Sequence, residues 1–221
     1  MKILQIAPYM TCNDVPLLNQ CKAGFGYMVY DIAHSLTDVS NVEALLYNYR
    51  YSSFKHEDIV FIPMSFSLFF RNFFHCGNPL IPIRLWWKYR MYFRTIVRMA
   101  YLWFLSGYLF KVIKEGEYDI VHIHGCGLMD DILMDACKRA KQKFVVTLHG
   151  LNSFSDSVSL EPAGKQYERD FLQRVVKGEF PITVISTGIK RTIENTYGVK
   201  DIPNLYVVCN AFSFRGGRPR T

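Results

Sequence analysis

Short apolar runs alternate along this chain with segments in which apolar residues recur at helical spacing. Some of the runs are almost continuously apolar, such as Phe144-Val145-Val146 and Ile182-Thr183-Val184-Ile185, which is typical of strands buried on both faces. The pattern predicts strands at Lys2 to Ala7, Val42 to Tyr47, Asp58 to Pro63, Tyr118 to His124, Lys143 to Leu148, Pro181 to Ile185 and Leu205 to Val208. It predicts helices at Gly24 to Leu36, near Met129 to Lys141, at Lys165 to Lys177 and at Thr187 to Tyr197.

Strands that alternate with helices over short connections predict an α/β fold with a doubly wound, mostly parallel, Rossmann-like sheet. The chain has 221 residues, half of them hydrophobic, and no linker-like segment divides it, which favours one large domain. In such sheets, ligands bind beyond the carboxyl ends of the strands. The residues that follow each predicted strand are therefore the candidates for a functional site.

Histidine, glycine, serine and asparagine residues lie at these strand ends. The candidates that follow strands are His124, His149, Ser186 and Asn210. Gly24 and Gly26 open the first predicted helix, where glycines let backbone N–H groups approach an anion. They do not form the G-x-G-x-x-G dinucleotide fingerprint, because a third glycine is missing and the pair lies far beyond the first strand.

The order of these motifs resembles the amino-terminal domain of the family-4 glycosyltransferases, over nearly the whole chain. The matching segments are Lys2-Ile3-Leu4-Gln5-Ile6, Ala23-Gly24-Phe25-Gly26 with Asp31-Ile32-Ala33-His34-Ser35-Leu36, Tyr118-Asp119-Ile120-Val121-His122-Ile123-His124, Val145-Val146-Thr147-Leu148-His149-Gly150, Thr183-Val184-Ile185-Ser186 and Val207-Val208-Cys209-Asn210. Ala23 and Ala211 depart from the pattern, because that family often has glycine at both places.

The resemblance implies a GT-B enzyme with two Rossmann-like domains, in which the first holds the acceptor and the second holds a nucleotide sugar. It implies that His149 is the catalytic residue and hydrogen-bonds the donor sugar, and that Asn210 lies where the chain leaves for the second domain. Transfer in this family retains the anomeric configuration and is typically metal-independent, so the nucleotide sugar is expected as co-substrate and no cofactor is expected. The expected substrate-binding residues are Gly24, Gly26, His124, Ser186 and Asn210.

We expect this chain to lack the donor-binding half that the resemblance implies. Its basic residue pair and its paired-glutamate motif are not found. We expect residues 1–211 to form the acceptor-side domain and residues 212–221 to form an irregular Arg/Gly-rich tail. The expected reaction is hexosyl transfer from a nucleotide sugar to a glycan or a lipid-linked acceptor, as in polysaccharide biosynthesis. Little or no activity is expected from the chain alone.

Positive charge is concentrated in one segment, from Ile59 to Lys114. The chain carries 26 basic and 19 acidic residues, and this segment contains no Asp or Glu. Aromatic residues are also concentrated here, and the spacing predicts an amphipathic helix that carries the residues from Arg84 to Trp103. Its basic face comprises Arg84, Lys88, Arg90, Arg94 and Arg98. Its apolar face comprises Leu85, Tyr89, Tyr92, Phe93, Ile96, Ala100 and Trp103.

Several hypotheses for this segment stay open. Its apolar face either packs on the core of the domain, with solvated arginines outside, or the helix binds anionic lipid or a phosphate-bearing acceptor. Nucleic-acid binding is not expected, because no helix-turn-helix, RNP or zinc-finger signature is present. A membrane span is not expected, because the apolar stretch Met99 to Phe110 is shorter than the roughly 20 residues required. The alternative to a transferase is therefore a non-catalytic, membrane-peripheral binding module on the same fold.

No secretion signal is recognisable at the amino terminus, and the cysteines are scattered without a C-x-x-C pair. We therefore expect a cytoplasmic protein with reduced thiols, peripheral on the inner face of the membrane if the basic helix binds lipid. His122 and His124 lie on one side of a strand, but no Cys, Asp or Glu at ligand spacing completes a zinc site, so no metal is expected. Serine-hydrolase and phosphate-loop motifs are not found either.

Overall fold

The computed structural model of the chain describes residues 1–89, 93–154 and 162–209, with the backbone alone for residues 93–95. Asn210, Arg90, the side chain of Arg94, the expected domain boundary at residue 211 and the tail 212–221 therefore lie outside the described residues. The strands are β1 (Lys2–Ala7), β2 (Asn41–Leu46), β3 (Phe54–His56), β4 (Ile59–Phe61), β5 (Ile120–His124), β6 (Phe144–Leu148), β7 (Ile182–Val184) and β8 (Leu205–Val207). The helices are α1 (Gly24–Leu36), α2 (Phe66–Arg71), α3 (Leu80–Tyr89), α4 (Phe93–Gly116), α5 (Asp130–Arg139), α6 (Pro162–Val176) and α7 (Thr187–Tyr197).

The strands form one sheet in the order β3-β4-β2-β1-β5-β6-β7-β8. All neighbours pair in parallel except β3 and β4, which pair antiparallel. This arrangement confirms the predicted α/β fold with a mostly parallel sheet. The strand β3 was not predicted, because Phe54–His56 is too short to show a pattern. Its hairpin turns at Glu57 and Asp58, both with positive φ, as a tight two-residue hairpin connection requires.

Two hydrophobic layers enclose the sheet. On one face, α1 packs with Val29, Tyr30 and Ala33 against β2 and β4. On the other face, α3 to α7 cover the inner strands, whose buried side chains include Leu4, Ile6, Val121, Ile123, Val146, Leu148, Ile182 and Val184. Right-handed crossovers produce this division, because the chain moves from β1 to β2 in one direction and from β5 to β8 in the other. The strands change direction between β1 and β5, which is where a ligand crevice is expected.

The single amphipathic helix predicted through the basic segment is wrong. The residues of this predicted helix belong to two helices, α3 and α4, which pack against each other and against α5. One angular phase cannot describe two separate helices, so the predicted apolar face is wrong in α4. Met99 and Leu102 face the core there, whereas Ala100 is exposed. In α3 the prediction holds, since Leu85 and Tyr89 are buried.

The helix α4 is longer than its most apolar stretch suggested. Among the described residues, Ile96–Gly116 is one stretch long and apolar enough to cross a membrane. Length and composition alone do not assign a span, because a core helix can meet the same criteria. Core contacts bury Met99, Leu102, Leu105, Leu109 and Ile113. In this fold α4 therefore acts as a core helix.

A glycine in the middle of α4 sets how closely the neighbouring segment approaches. A Cβ at Gly107 would lie 2.5 Å from the carbonyl oxygen of Asn72 and 3.0 Å from the amide of Cys76. We expect Gly107→Ala to lower the free energy of unfolding by about 1–3 kcal/mol, because backbone atoms would have to move. The matched helical control is Gly188→Ala in α7, where the nearest atom to the new Cβ lies 3.6 Å away. Equal unfolding midpoints in urea for the two variants would contradict this packing.

Candidate functional site

His124 and His149 meet at the carboxyl edge of the sheet, under the first turns of α1. His124 is the last residue of β5 and His149 follows β6, its parallel neighbour. The two imidazoles face each other, with His124 Nδ1 3.0 Å from His149 Nε2. The ring of Phe25, from α1, contacts His149 edge-on at a centroid distance of 4.9 Å. The structure therefore brings together His124, His149 and the glycine loop that begins α1.

A chain of close polar contacts links these rings and favours one set of tautomers. His149 Nδ1 lies 3.3 Å from Met28 Sδ, and a thioether accepts but does not donate, so Nδ1 carries the proton. His149 Nε2 must then accept from His124 Nδ1, which leaves His124 Nε2 as an acceptor. That nitrogen faces the buried amide of Gln5, whose Nε2 has no partner in the described structure in its present orientation. Turning this amide by 180° supplies a donor to His124 Nε2 and moves the amide oxygen to the position where Nε2 has no partner.

Both ring nitrogens of His149 are thus directed at protein atoms. A hydrogen bond from the imidazole to a donor sugar requires the ring to leave either His124 or Met28. His124 itself is almost fully buried, so it supports His149 rather than contacting substrate in this arrangement.

A second polar row runs beside the first on the same face of the sheet. His122 Nε2 lies 2.5 Å from Thr147 Oγ1, and Thr147 Oγ1 lies 2.5 Å from Thr183 Oγ1. The rings of His122 and His124 are 4.0 Å apart between centroids. Three adjacent strands, β5, β6 and β7, therefore carry polar side chains at positions where a buried parallel sheet is usually apolar.

These histidines are neutral at physiological pH. Burial lowers the pKa of His149 to about 4. Burial, together with the charge of His149, lowers the pKa of His122 to about 3. Burial and both neighbouring imidazoles hold the pKa of His124 well below its usual value. The site therefore offers neutral hydrogen-bonding groups, not cations, for contact with a diphosphate.

Buried carboxylates stand close to this edge. Burial raises the pKa of Asp130, at the start of α5, to about 8, and the carboxylate accepts a hydrogen bond from Gly127 N at 2.9 Å. Glu168 of α6 is almost fully buried and accepts from the amides of Asn152 and Ser153. Glu168 thereby holds the segment that follows His149.

The two glycines of the α1 loop differ in their surroundings. A Cβ at Gly26 would collide with Thr11 Oγ1 at 2.0 Å, and Thr11 N donates to Gly26 O at 3.0 Å. A Cβ at Gly24 would meet nothing within 4 Å. Gly26 is therefore required for packing of the loop after β1, whereas Gly24 faces open space where a ligand could approach.

Ser186, after β7, is the N-cap of α7. Its Oγ accepts from Ile189 N at 3.2 Å. Among the described residues, no group of three or more His, Cys, Asp or Glu side chains is arranged to hold a metal ion.

The predicted basic face does not form one surface in the described part of the chain. Lys88 forms an ion pair with Asp170 of α6, at 2.8 Å. Arg98 points instead to Asn48, which follows β2, at 3.4 Å. Arg84 is exposed on α3. Lys88 on α3 and Arg98 on α4 therefore have different neighbours, and the basic face predicted on one helix is wrong for that reason.

Comparison with known proteins identifies the family. The model of Glycosyltransferase Family 4 matches residues 24–212. The chain belongs to glycosyltransferase family 4. No match is found among curated protein sequences.

Solved structures with this fold include other glycosyltransferases. Sucrose-phosphate synthase from Thermosynechococcus elongatus matches with a TM-score of 0.58 at 9% identity, over 95% of this chain and 48% of that one. An E. coli structure described as trehalose-6-phosphate bound with UDP-2-fluoro glucose matches at 0.47 and 9% identity, over 96% and 49%. The α,α-trehalose 6-phosphate synthase from Burkholderia multivorans matches at 0.46 and 9%, over 89% and 42%. At this identity the likeness to the first shows the GT-B fold alone, and the family-4 chain spans about half the length of these structures.

Several residues of this family-4 site were not singled out from the sequence. Gln5, Met28 and Glu168 hold the histidines and their loop from β1, α1 and α6. A signal for Gln5 was present, because it is the one polar side chain inside the apolar run of β1 after Lys2. Thr147 and Thr183 interrupt apolar strands in the same way.

The glycine loop of this family-4 chain provides a matched pair of substitutions. We expect Gly26→Ala to lower the free energy of unfolding by about 1–3 kcal/mol, because the new methyl collides with Thr11. Gly24→Ala should change it by less than about 0.5 kcal/mol, since its new methyl meets open space. Urea unfolding of both variants checks the assignment, and a Gly24→Ala variant that is as unstable as Gly26→Ala would show it to be wrong.

The depressed histidine pKa values also predict a pH dependence of stability. An unfolded histidine titrates near about 6.5, so below that pH the unfolded chain binds protons that folded His122 does not bind. The free energy of unfolding therefore decreases as the pH falls from about 6.5 towards about 3. The raised pKa of Asp130 has the opposite effect, since it increases the free energy of unfolding as the pH falls. Comparing a histidine variant with the wild type cancels this contribution, because both proteins contain Asp130.

His122→Gln is the variant for this measurement. We expect its free energy of unfolding to fall less steeply than that of the wild type between pH 6 and pH 4, by up to about 1.4 kcal/mol per pH unit. Urea unfolding at several pH values measures both slopes. The exposed His75 provides the control, His75→Gln, which should keep the wild-type slope. Parallel profiles for His122→Gln and wild type would contradict a neutral buried His122.

Proposed function

We propose that this chain is the acceptor-side half of a retaining glycosyltransferase that moves a hexosyl group from a nucleotide sugar to a glycan or a lipid-linked acceptor. The proposed reaction is metal-independent, belongs to polysaccharide biosynthesis and takes place in the cytoplasm. The family match over residues 24–212 supports sugar transfer in general. The retained configuration and the class of acceptor follow from the resemblance described above and are part of the proposal.

One observation links the proposal to particular residues. His149, Phe25 and the open position of Gly24 lie together at the carboxyl edge of the sheet, beside the point where strand order reverses. Ligands of doubly wound sheets bind at such a point. The amino terminus of α1 adds a partial positive charge near Gly24, which favours an anionic group of the donor.

The groups at this edge suit positioning better than charge neutralisation. Transfer requires stabilisation of the leaving diphosphate and alignment of the acceptor hydroxyl. His149 is neutral, and so are His124 and His122. We therefore assign the basic residues that neutralise the diphosphate to a second, donor-binding domain. His149 contributes a hydrogen bond to the donor sugar after its ring leaves Met28 or His124.

A second candidate function is a non-catalytic, membrane-peripheral binding module on the same fold. It is favoured by exposed aromatic side chains in the basic segment, among them Phe74 and Trp87. The two candidates differ in what they require of His149. A transferase loses turnover when this residue is changed, whereas a binding module keeps its binding.

The proposed function predicts separate results for the chain alone and for a longer protein. The coding sequence should continue into a second α/β domain, and the isolated 221-residue chain should not turn over any of a panel of nucleotide sugars. In the two-domain protein, His149→Ala should lower kcat by about 10²-fold, the usual effect of losing one hydrogen bond made in the transition state. Transfer from radiolabelled donors measures both.

His34→Ala is the matched control for that experiment, because His34 lies on α1 at the end far from His149. It should keep wild-type turnover. Donor turnover by the isolated chain would refute its dependence on a second domain. Unchanged kcat in His149→Ala would show that His149 takes no part in transfer, and it would favour the membrane-peripheral binding module instead.

A further inference from the structure

The outward face of α3 is apolar where a surface helix is normally polar. Leu80, Ile83 and Trp87 are 63%, 56% and 78% exposed, and their spacing of three and four residues places them on one stripe. Arg84 lies beside the same stripe and is exposed. The opposite face of α3 is buried through Leu85 and Tyr89. Leu80, Ile83 and Trp87 therefore lie on the side of α3 that faces away from the core.

A group of exposed phenylalanines comes just before α3 in the chain. Phe70, Phe73 and Phe74 are all exposed, Phe74 to 93%. The rings of Phe70 and Phe73 pack on Phe104 of α4, at centroid distances of 6.2 and 5.7 Å. Helix α3 packs on α4 as well. We call the set Phe70, Phe73, Phe74, Leu80, Ile83, Arg84 and Trp87 the aromatic-basic surface.

Basic side chains predominate around this surface. No Asp or Glu occurs between Ile59 and Lys114, and Arg71 and Arg84 are exposed there. The described acids that approach from other helices are paired: Asp170 with Lys88 at 2.8 Å, and Asp135, beside Gly77, with Arg139 at 2.9 Å. A second copy of the chain is a poor partner, because a two-fold interface would set basic groups against basic groups. An anionic partner is favoured.

We propose that the aromatic-basic surface docks on an anionic lipid bilayer. Trp87, Phe74 and their apolar neighbours enter the boundary between headgroups and acyl chains, and Arg84 and Arg71 contact lipid phosphates. Aliphatic Leu80 and Ile83 distinguish a bilayer from a nucleic acid, since aliphatic side chains bury well in lipid but do not stack on bases. The protein lies on the membrane through this surface, while α4 stays packed in the core.

Helix α4, on which the aromatic-basic surface packs, also reaches the edge of the sheet that carries the candidate site. Near its start, α4 contacts the residues that follow β2, with the Tyr101 hydroxyl donating to Tyr47 O at 2.9 Å and Arg98 beside Asn48. These residues continue the edge that carries His149. The inference nevertheless does not rest on sugar transfer, because lipid binding needs neither a donor nor His149, and each can fail alone.

Vesicle binding by the whole 221-residue chain tests the proposal. The chain has three tryptophans, Trp86, Trp87 and Trp103, and all lie in or next to the surface, so their fluorescence reports docking without a label. We expect co-sedimentation and a blue shift with vesicles of equal parts phosphatidylcholine and phosphatidylglycerol. Both should be weaker with pure phosphatidylcholine and should decrease with added salt.

Exposed positions allow substitutions that leave the core intact. Phe74→Ser, Trp87→Ser and Arg84→Glu should each lower the apparent partition coefficient about tenfold. The matched controls are Tyr206→Ser on β8 and Arg191→Glu on α7, both exposed and far along the chain from the surface, and both should bind as the wild type does. Circular dichroism confirms that each variant is folded.

Three outcomes would overturn the proposal. The first is no difference between anionic and neutral vesicles. The second is an equal loss of binding in the control variants, which would indicate general stickiness rather than a defined surface. The third is release from vesicles by single-stranded RNA, or concentration-dependent dimers that Trp87→Ser dissociates, either of which would assign the surface to another partner.

Discussion

The pairing of β1 with parallel neighbours on both sides is the constraint on which the rest of the molecule depends. It pairs with β2 through six residues and with β5 through four, so the chain leaves the centre of the sheet in opposite directions. Because parallel crossovers are right-handed, α1 and the later helices must then lie on opposite faces. The gap between these directions lies at the carboxyl edge, where His124, His149 and the start of α1 meet.

The polar rows across the sheet are costly unless every group is paired. Gln5, His124 and His149 form one row and His122, Thr147 and Thr183 form the other, and hydrogen bonds join the members of each. Burial keeps the imidazoles uncharged, which suits a site that orients a sugar hydroxyl and does not suit one that holds a diphosphate by charge.

The fold decides which aromatic residues of the basic segment, Ile59 to Lys114, are buried and which are exposed. As a stretch of sequence it is positively charged and aromatic, and packing on α4 divides its aromatic residues into two sets. Tyr101, Leu102 and Tyr108 turn inwards, whereas Phe74 and Trp87 stay outside. Exposed aromatic rings beside unopposed arginines are suited to the boundary of an anionic membrane. The same helix thus completes the core and supports the surface.

The sequence by itself predicted the inner strands and the polar residues that follow them. Continuous apolar runs predicted the inner strands within one or two residues, and His124, His149 and Ser186 were identified because parallel strands end at one edge. Family membership also followed from motif order, and the family match confirmed it. Such features can be predicted from the sequence, because burial on both faces of a strand and capping of a helix depend on residues that are close together in the chain.

Only the tertiary structure decided which of these residues act together. Gln5, Met28 and Glu168 lie far from His149 in the chain, and no spacing rule connects them, since contacts between separate elements depend on how those elements pack. Helices α3 and α4 pack against each other, so one helical wheel could not show that Lys88 pairs with Asp170 while Arg98 reaches Asn48. Periodicity describes one element at a time, and packing sets the contacts between elements.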